Sequence, residues 1–417
     1  MKFTLRPYQK QASESAVYHL MNYEKPFMLV LPTGSGKSLI IADIVQKIKE
    51  PVLILQPTKE ILEQNFQKLL SYGILDVSIY SASFGQKEIS TFTYATIGSI
   101  YKNPELFKRF KYIILDECHL LNPKNFNGMY NQFFEAIQPK SVCGLTASPY
   151  RMVGKYFSQG DDKFYSQSLQ MVNRIYPFFF KKIAFKIDNY TLFKQGYLSP
   201  IKYHISNHFD VSKIKTNTIG GDFDEAELER FWSDARLKKL AANIAWFDKK
   251  VNHNLIFCSS VRQARRGAEM LREMGMSADY IHGKTPMNIR TEKIDAFREG
   301  KIKHMFNMGV LTVGFDFPSL DGITLARATM SLALYYQMVG RGLRKDPNNP
   351  KKLCRVLDIM DNVTRMGMIE SIRIMKEKGG FKDIIMTNVG QISGVPLTKF
   401  KLKSEKALKK AENTTKA

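Results

Sequence analysis

Residues 27–38 run from the apolar Phe27-Met28-Leu29-Val30-Leu31 through Pro32 into Thr33-Gly34-Ser35-Gly36-Lys37-Ser38, and a helix-like stretch, Leu39 to Ile48, follows. Small residues let the backbone curl so that successive N–H groups face phosphate oxygens, and a helix N-terminus adds a favourable partial charge. In such a loop Lys37 reaches the β- and γ-phosphates and Ser38 holds Mg²⁺. One letter departs from the full pattern, because Leu31 stands where the first glycine is expected. Further on, the strand-like Tyr112-Ile113-Ile114-Leu115 ends in Asp116-Glu117-Cys118-His119. Asp116 is placed to hold the Mg²⁺ shell from the other side, and Glu117 to orient or deprotonate an attacking water. A third group, Gln337, Arg341 and Arg344, puts two arginines three residues apart, which on a helix share a face. Such arginines neutralise charge growing on a transferred phosphate, an effect worth about 10³–10⁵ in rate. Taken singly, each motif has a bland reading: a Gly-rich turn, an acidic strand end, a solvated basic helix.

The elements that must position these groups follow from hydrophobic runs. Residues 27–31, 51–55, 112–116, 142–146, 254–258, 304–308, 322–326 and 354–358 are short apolar segments separated by helix-like ones. Strands apolar on both faces and alternating with helices indicate parallel sheets covered on both sides. Two such series imply two α/β lobes, in keeping with a chain of 417 residues. Between them lies an aromatic and basic stretch that includes Tyr176, Phe178, Phe179, Phe180, Lys181 and Lys182. It reads either as a half-buried strand or hairpin, or as a stacking platform that wedges strands apart. A lysine-rich run from Lys399 to Ala417 closes the chain.

Charge narrows the partner. There are 62 Lys+Arg against 39 Asp+Glu, a net charge of +23 that argues for a polyanion such as nucleic acid or an acidic membrane surface. Residues 1–150 carry only +4 of it, and +19 falls beyond. Cys118, Cys143, Cys258 and Cys354 are widely spaced, which disfavours a disulfide scaffold or structural zinc and suits a reducing compartment. The first residues lack an apolar signal region, and no run is long enough to cross a bilayer, so a cytoplasmic protein without a membrane partner is expected.

GSGKS together with DECH resembles the nucleotide site of superfamily 2 DExH-type helicases and translocases. The remaining motifs of that family occur in order from Leu5 to Arg344: Leu5-Arg6-Pro7-Tyr8-Gln9, Pro57-Thr58-Lys59-Glu60, Thr93-Tyr94-Ala95-Thr96, Leu145-Thr146-Ala147-Ser148-Pro149, Ile256-Phe257-Cys258-Ser259-Ser260, Leu311-Thr312-Val313-Gly314-Phe315-Asp316 and Gln337 to Arg344. The resemblance implies two tandem RecA-like lobes, each a parallel sheet flanked by helices, with ATP in the cleft between them. It places the ATP-binding lobe at 1–198, with the aromatic and basic segment at about 151–198, the second lobe at 199–390 and a tail at 391–417.

By the same resemblance, Arg6 and Gln9 contact adenine, Gly314 and Asp316 join Thr33 to Ser38 on the nucleotide, and Gln337, Arg341 and Arg344 assist catalysis. His119, Thr146 and Ser148 couple the nucleotide to the strand, His119 by bonding across the cleft. Thr58, Lys59, Thr96, Ser259, Ser260 and Thr312 touch the nucleic-acid backbone. Each of those hydroxyl residues also reads as a helix cap or turn. The LRPYQ start, the DECH box and Leu192 to Pro200 resemble compact bacterial and phage enzymes that unwind or branch-migrate DNA. A bacterial or phage-infected cytoplasm, branched DNA or strand junctions, ATP and Mg²⁺ are therefore expected. An RNA helicase and the motor subunit of a restriction or defence complex are the alternatives.

Overall fold

The apolar runs become strands because they are buried on both faces and linked by helices that cover them. In the computed structural model, which describes residues 4–159, 162–206, 209–216, 222–311, 316–378, 383–393 and 396–401, the first series is α1 (Pro7–Asn22), β1 (Phe27–Val30), α2 (Lys37–Ile48), β2 (Val52–Gln56), α3 (Lys59–Ser71), β3 (Val77–Ser81), β4 (Gln86–Lys87), β5 (Phe92–Thr96), α4 (Ile97–Ile100), β6 (Tyr112–Leu115), α5 (Met129–Ile137) and β7 (Ser141–Thr146). A hairpin of β8 (Tyr150–Gln159) and β9 (Asp162–Met171) follows, and β10 (Lys182–Lys186) returns to the first sheet. That sheet has the order β10-β1-β7-β6-β2-β5-β3-β4, with every pairing parallel except that of β4. Parallel pairing carries the C-terminal ends of its strands to one rim.

The second series is α6 (Asn189–Lys194), β11 (Ile201–Ile205), α7 (Glu225–Phe231), α8 (Asp234–Asp248), β12 (Asn254–Cys258), α9 (Val261–Glu273), β13 (Ala278–His282), α10 (Met287–Arg298), β14 (His304–Met308), β15 (Gly322–Ala326), α11 (Leu332–Gly340), β16 (Cys354–Asp358) and α12 (Asn362–Met366). Its sheet, β11-β16-β15-β12-β14-β13, is parallel throughout. β17 (Arg373–Lys376), β18 (Asp383–Thr387) and β19 (Gly390–Gln391) form a small antiparallel sheet, and β20 (Pro396–Lys401) pairs with β9.

Two boundaries differ from expectation. One compact unit comprises the chain up to Arg151 with Gln170–Asp188; the other comprises Met152–Leu169 and the chain from Asn189 on. The break therefore falls at 188/189 rather than 198/199, and the hairpin belongs with the second unit because β20 pairs to it. Within the expected tail, Gln391 and Pro396–Lys401 are strand, and residues 402 to 417 lie outside the described residues.

The aromatic tract divides into two halves. Phe180 is fully buried, and Phe179 stacks on Phe134 with ring centroids 5.3 Å apart. Gly144 makes room for this: a Cβ there would come within 2.6 Å of the Phe180 ring and 2.8 Å of Cys118 Cβ. Tyr176 and Phe178 face outward, 74% and 44% exposed. The tract precedes β10, whose first residue Lys182 is level with Phe27 at the start of β1. It thus lies at the rim opposite the strand ends that carry the first unit's predicted site residues. Phe180→Ala should lower stability by about 3–5 kcal/mol, whereas Tyr176→Ala and Phe178→Ala should stay within about 0.5 kcal/mol, as read by denaturant unfolding.

Candidate nucleotide and nucleic-acid site

β1 ends at Val30 and the chain curls into α2 through Gly34 and Gly36, whose φ values of 83° and 81° are left-handed. A Cβ on Gly36 would lie 2.5 Å from Gln9 Nε2, so a larger residue there would displace the Gln9 amide. Gly36 is the N-cap of α2, and the first N–H groups of a helix have no intrahelical acceptor. Lys37 and Ser38 open that turn. The Ser35 hydroxyl is buried without a hydrogen-bond partner among the described residues. A buried polar group left open, a helix N-terminus and a lysine together fit a phosphate.

Lys37 meets both carboxylates at the end of β6. Its ammonium lies 3.3 Å from Asp116 and forms an ion pair and hydrogen bond with Glu117. Glu117 is itself left-handed, with φ 47°, and its N–H donates to Asp116 Oδ1 at 2.9 Å. Burial works against the charge on Lys37, but Asp116 and Glu117 outweigh it and hold the ammonium above its ordinary pKa. Burial likewise opposes the charge on Glu117, yet Lys37 and His119 hold that carboxyl well below the usual range. Asp116 is raised by burial, with Glu117 adding to the shift and Lys37 opposing it. Glu117 is accordingly the ionised partner of the lysine, the state a water-orienting base needs.

The predicted neighbours converge on this loop. Gln9 folds onto it, accepting from Arg6 N–H at 2.9 Å and donating to the Ser35 carbonyl at 2.8 Å. Both atoms of its amide are thus engaged by protein, leaving one N–H and one lone pair for a base. Ser38 Oγ donates to Asn65 Oδ1 at 2.5 Å, so this hydroxyl must exchange partners to reach a metal. His119 Nδ1 is 2.9 Å from Thr146 Oγ1 and 3.3 Å from Glu117, and Thr146 Oγ1 accepts from Ser148 N–H at 2.9 Å. Within the first unit, the hydrogen bond of His119 ties strand β7 to the carboxylates.

The predicted backbone-contact residues lie at strand ends with local partners. Thr58 caps α3 by accepting from Ile61 N–H at 3.4 Å, and Lys59 donates to the Ser83 carbonyl at 3.0 Å. Thr96 Oγ1 is 2.9 Å from Ser99 Oγ. In the second unit Ser260 caps α9, and Ser259 Oγ donates to Gln263 Oε1 at 2.8 Å. The cap reading thus holds for Thr58 and Ser260. Thr312 and Gly314 lie outside the described residues.

Motif VI departs from a single helical face. Gln337 is on α11, but the helix ends at Gly340 and Arg341 is its buried C-cap, so Arg344 follows in a turn. The turn packs closely on the sheet: a Cβ on Gly342 would lie 2.5 Å from Cys354 Sγ. Arg344 pairs with Asp316. Burial lowers its guanidinium to about 10, still charged at neutral pH.

Two residues that the motifs did not reveal fix this turn. Ser199 Oγ donates to the Arg344 carbonyl at 2.8 Å, and Lys352 Nζ donates to the carbonyls of Arg344 at 2.8 Å and Pro318 at 2.5 Å. Lys352 is 3% exposed, and burial lowers its amine to about 8. Nothing in its sequence neighbourhood, a Lys-Lys pair in a polar loop, separates it from a surface lysine.

Residues 2–151 match the family described as type III restriction enzyme, res subunit, and residues 235–346 match the helicase conserved C-terminal domain. The chain is a superfamily 2 helicase. A 51.5 kDa protein of Lactococcus phage (isolate 7-9) is 26% identical over 88% of this chain and 74% of its own length. A Schizosaccharomyces pombe protein provisionally named as a mitochondrial ATP-dependent helicase is 28% identical over 87% of this chain, which spans 58% of that relative. The fold is shared with an ATP-dependent type ISP restriction-modification enzyme solved bound to DNA, with a TM-score of 0.62 at 16% identity over 86% of this helicase and 28% of that enzyme. Among the described residues, no helix is long and apolar enough to cross a membrane, and no cluster of three metal-ligating side chains occurs.

Lys352→Met should leave the Pro318 carbonyl without this donor and the Arg344 carbonyl with Ser199 alone, at about 1–3 kcal/mol for the orphaned group; Lys352→Arg should retain most of that loss. Because the folded amine titrates near 8 and the unfolded one near ~10.4, the unfolded state binds more protons in that window. Wild-type stability should therefore rise from pH 8 toward 10 relative to Lys352→Met, as checked by denaturant midpoints at stepped pH.

Proposed function

We propose that this superfamily 2 helicase is an ATP-dependent DNA helicase or translocase that unwinds or remodels branched DNA. The convergence of Lys37 with Asp116 and Glu117 beside a loop open to phosphate carries the reading. Lys37 leaves the carboxylates for the β- and γ-phosphates as nucleotide enters, and the open N–H groups of α2 take the remaining oxygens. Ser38 and Asp116 would hold Mg²⁺, which would supply neutralisation of the phosphate charge. Few protein ligands suffice for that ion, since it keeps several waters and relies on one or two carboxylates plus phosphates. Glu117, held ionised by Lys37 and His119, orients and deprotonates the attacking water. Arg6 and Gln9 recognise adenine. Gln337, Arg341 and Arg344, with Asp316 and Gly314, serve the transferred phosphoryl group; each unit by itself carries only half of the set.

The hydrogen-bonded series Glu117, His119, Thr146, Ser148 couples the nucleotide to the strand bound by Thr58, Lys59 and Thr96. Ser259, Ser260 and Thr312 extend that contact in the second unit. The net charge of +23 supplies the electrostatic component. A second reading, the motor subunit of a restriction or defence complex, is favoured by the match of residues 2–151 to the restriction-enzyme family. An ATPase and unwinding panel over single strands, duplexes, forks, four-way junctions and RNA tests the assignment. Stimulation by RNA alone would overturn the DNA reading, and duplex movement without strand separation would select the restriction-type motor.

Lys37→Ala should abolish ATP hydrolysis while DNA affinity stays within a few-fold. Arg341→Ala should lower kcat by about 10³-fold or more with ATP affinity retained; lost affinity at a normal kcat would refute the assignment.

A further inference from the structure

The second sheet ends in an edge strand, β11, that pairs on one side with β16. Lys202 on β11 is the register partner of Arg355 on β16, so two cations emerge side by side on one face. Like charges in that position repel, and no described ion pair relieves either of them. His204, two residues on, shares the face. It points its ring at α8, edge-on to Trp246 at 5.3 Å and to Phe247 at 5.7 Å. Its Nε2 is buried with no hydrogen-bond partner among the described residues. Phe247 is core, but Trp246 is 52% exposed and the Lys250 ammonium lies 4.3 Å from its ring centroid. A groove of about 620 Å³ opens between His204, Ser206, Asn243, Trp246 and Leu357.

Burial, with the positive charges of Lys202, Lys250 and Arg355 adding to it, holds the His204 imidazole below its ordinary pKa. The ring is therefore neutral, with a nitrogen to spare. An exposed indole with one cation over its ring, beside a histidine on which two further cations act, has the composition of a stacking platform for single-stranded nucleic acid. β11 stands three strand spacings from β12, about 14 Å, and Ser259 and Ser260 follow the end of β12 on the side covered by α8 and α9.

We propose that Lys202, His204, Trp246, Lys250 and Arg355 form a docking site for single-stranded DNA, in which a base stacks on Trp246 and neighbouring phosphates lie on the three cations. This rests on the DNA-motor reading and adds to it a contact outside the helicase motifs. An acidic protein segment is the competing occupant.

The chain provides its own reporter, because its two tryptophans differ: Trp232 is 1% exposed and Trp246 is 52% exposed. Oligo-dT titrated into the full chain should quench the fluorescence of Trp246, and Trp246→Phe should show the unchanged emission of Trp232. Trp246→Ala should weaken oligo-dT binding by roughly 5- to 150-fold. Lys202→Gln with Arg355→Gln should lower the salt slope of binding by about 0.7 for each cation removed. Circular dichroism of each variant establishes that it is folded. DNA-stimulated ATPase without quenching overturns this site and leaves the motor reading intact. Absence of any nucleic-acid-stimulated ATPase overturns the motor reading itself. Quenching by poly-glutamate or by oligo-U but not by oligo-dT overturns the assignment to DNA.

Discussion

An ammonium enclosed with two carboxylates at the end of β6 is the interaction on which the first unit turns. Lys37, Asp116 and Glu117 are largely withdrawn from water, and removing one partner of such a group leaves an uncompensated charge that costs about 3–5 kcal/mol. The elements around it serve to hold the trio. Two left-handed glycines bring α2 in at the required angle, a left-handed Glu117 turns its carboxyl back toward the lysine, and His119 fixes the far side through Thr146. A nucleotide competes with the carboxylates for Lys37, so binding it exchanges one set of charge contacts for another. Differential contact of that kind is what biases a two-state element.

The second unit solves a different problem. Its arginines must remain charged while packed, and the Arg344 guanidinium is lowered by burial even though Asp316 stands beside it. The surrounding carbonyls are turned toward Ser199 and Lys352, so the turn is held by donors rather than by helix. Lys352 is kept buried at a cost in its own ionisation. By contrast, the cations of the β11 edge have no carboxylate partner among the described residues. The +19 carried beyond residue 150 thus divides between groups spent on internal geometry and groups free to meet a polyanion.

The apolar runs at 254–258, 304–308, 322–326 and 354–358 coincide with β12, β14, β15 and β16, because a strand buried on both faces leaves a continuous hydrophobic segment in the sequence. β11 and β10 were not legible in that way. Both are edge strands of mixed polarity, Ile-Lys-Tyr-His-Ile and Lys-Ile-Ala-Phe-Lys, and what makes them strands is the neighbour they pair with. The aromatic run at 176–180 showed the same ambiguity, since sequence alone does not say which rings face Gly144 and which face solvent.

By itself the sequence determined the chemistry of the phosphate loop, the acidic pair, the order of the family's motifs and the presence of two parallel α/β units. These depend on residue type and local spacing, which folding preserves. Only the tertiary structure decided that Gln9 is locked onto Ser35, that His119 bonds to Thr146, that Arg344 leaves the helix of Gln337, and that Lys202 stands beside Arg355 near Trp246. Each of these joins residues whose proximity is set by strand order or by close packing. Such contacts leave no period and no motif in the chain, because the partner is chosen by the fold and not by its distance along the sequence.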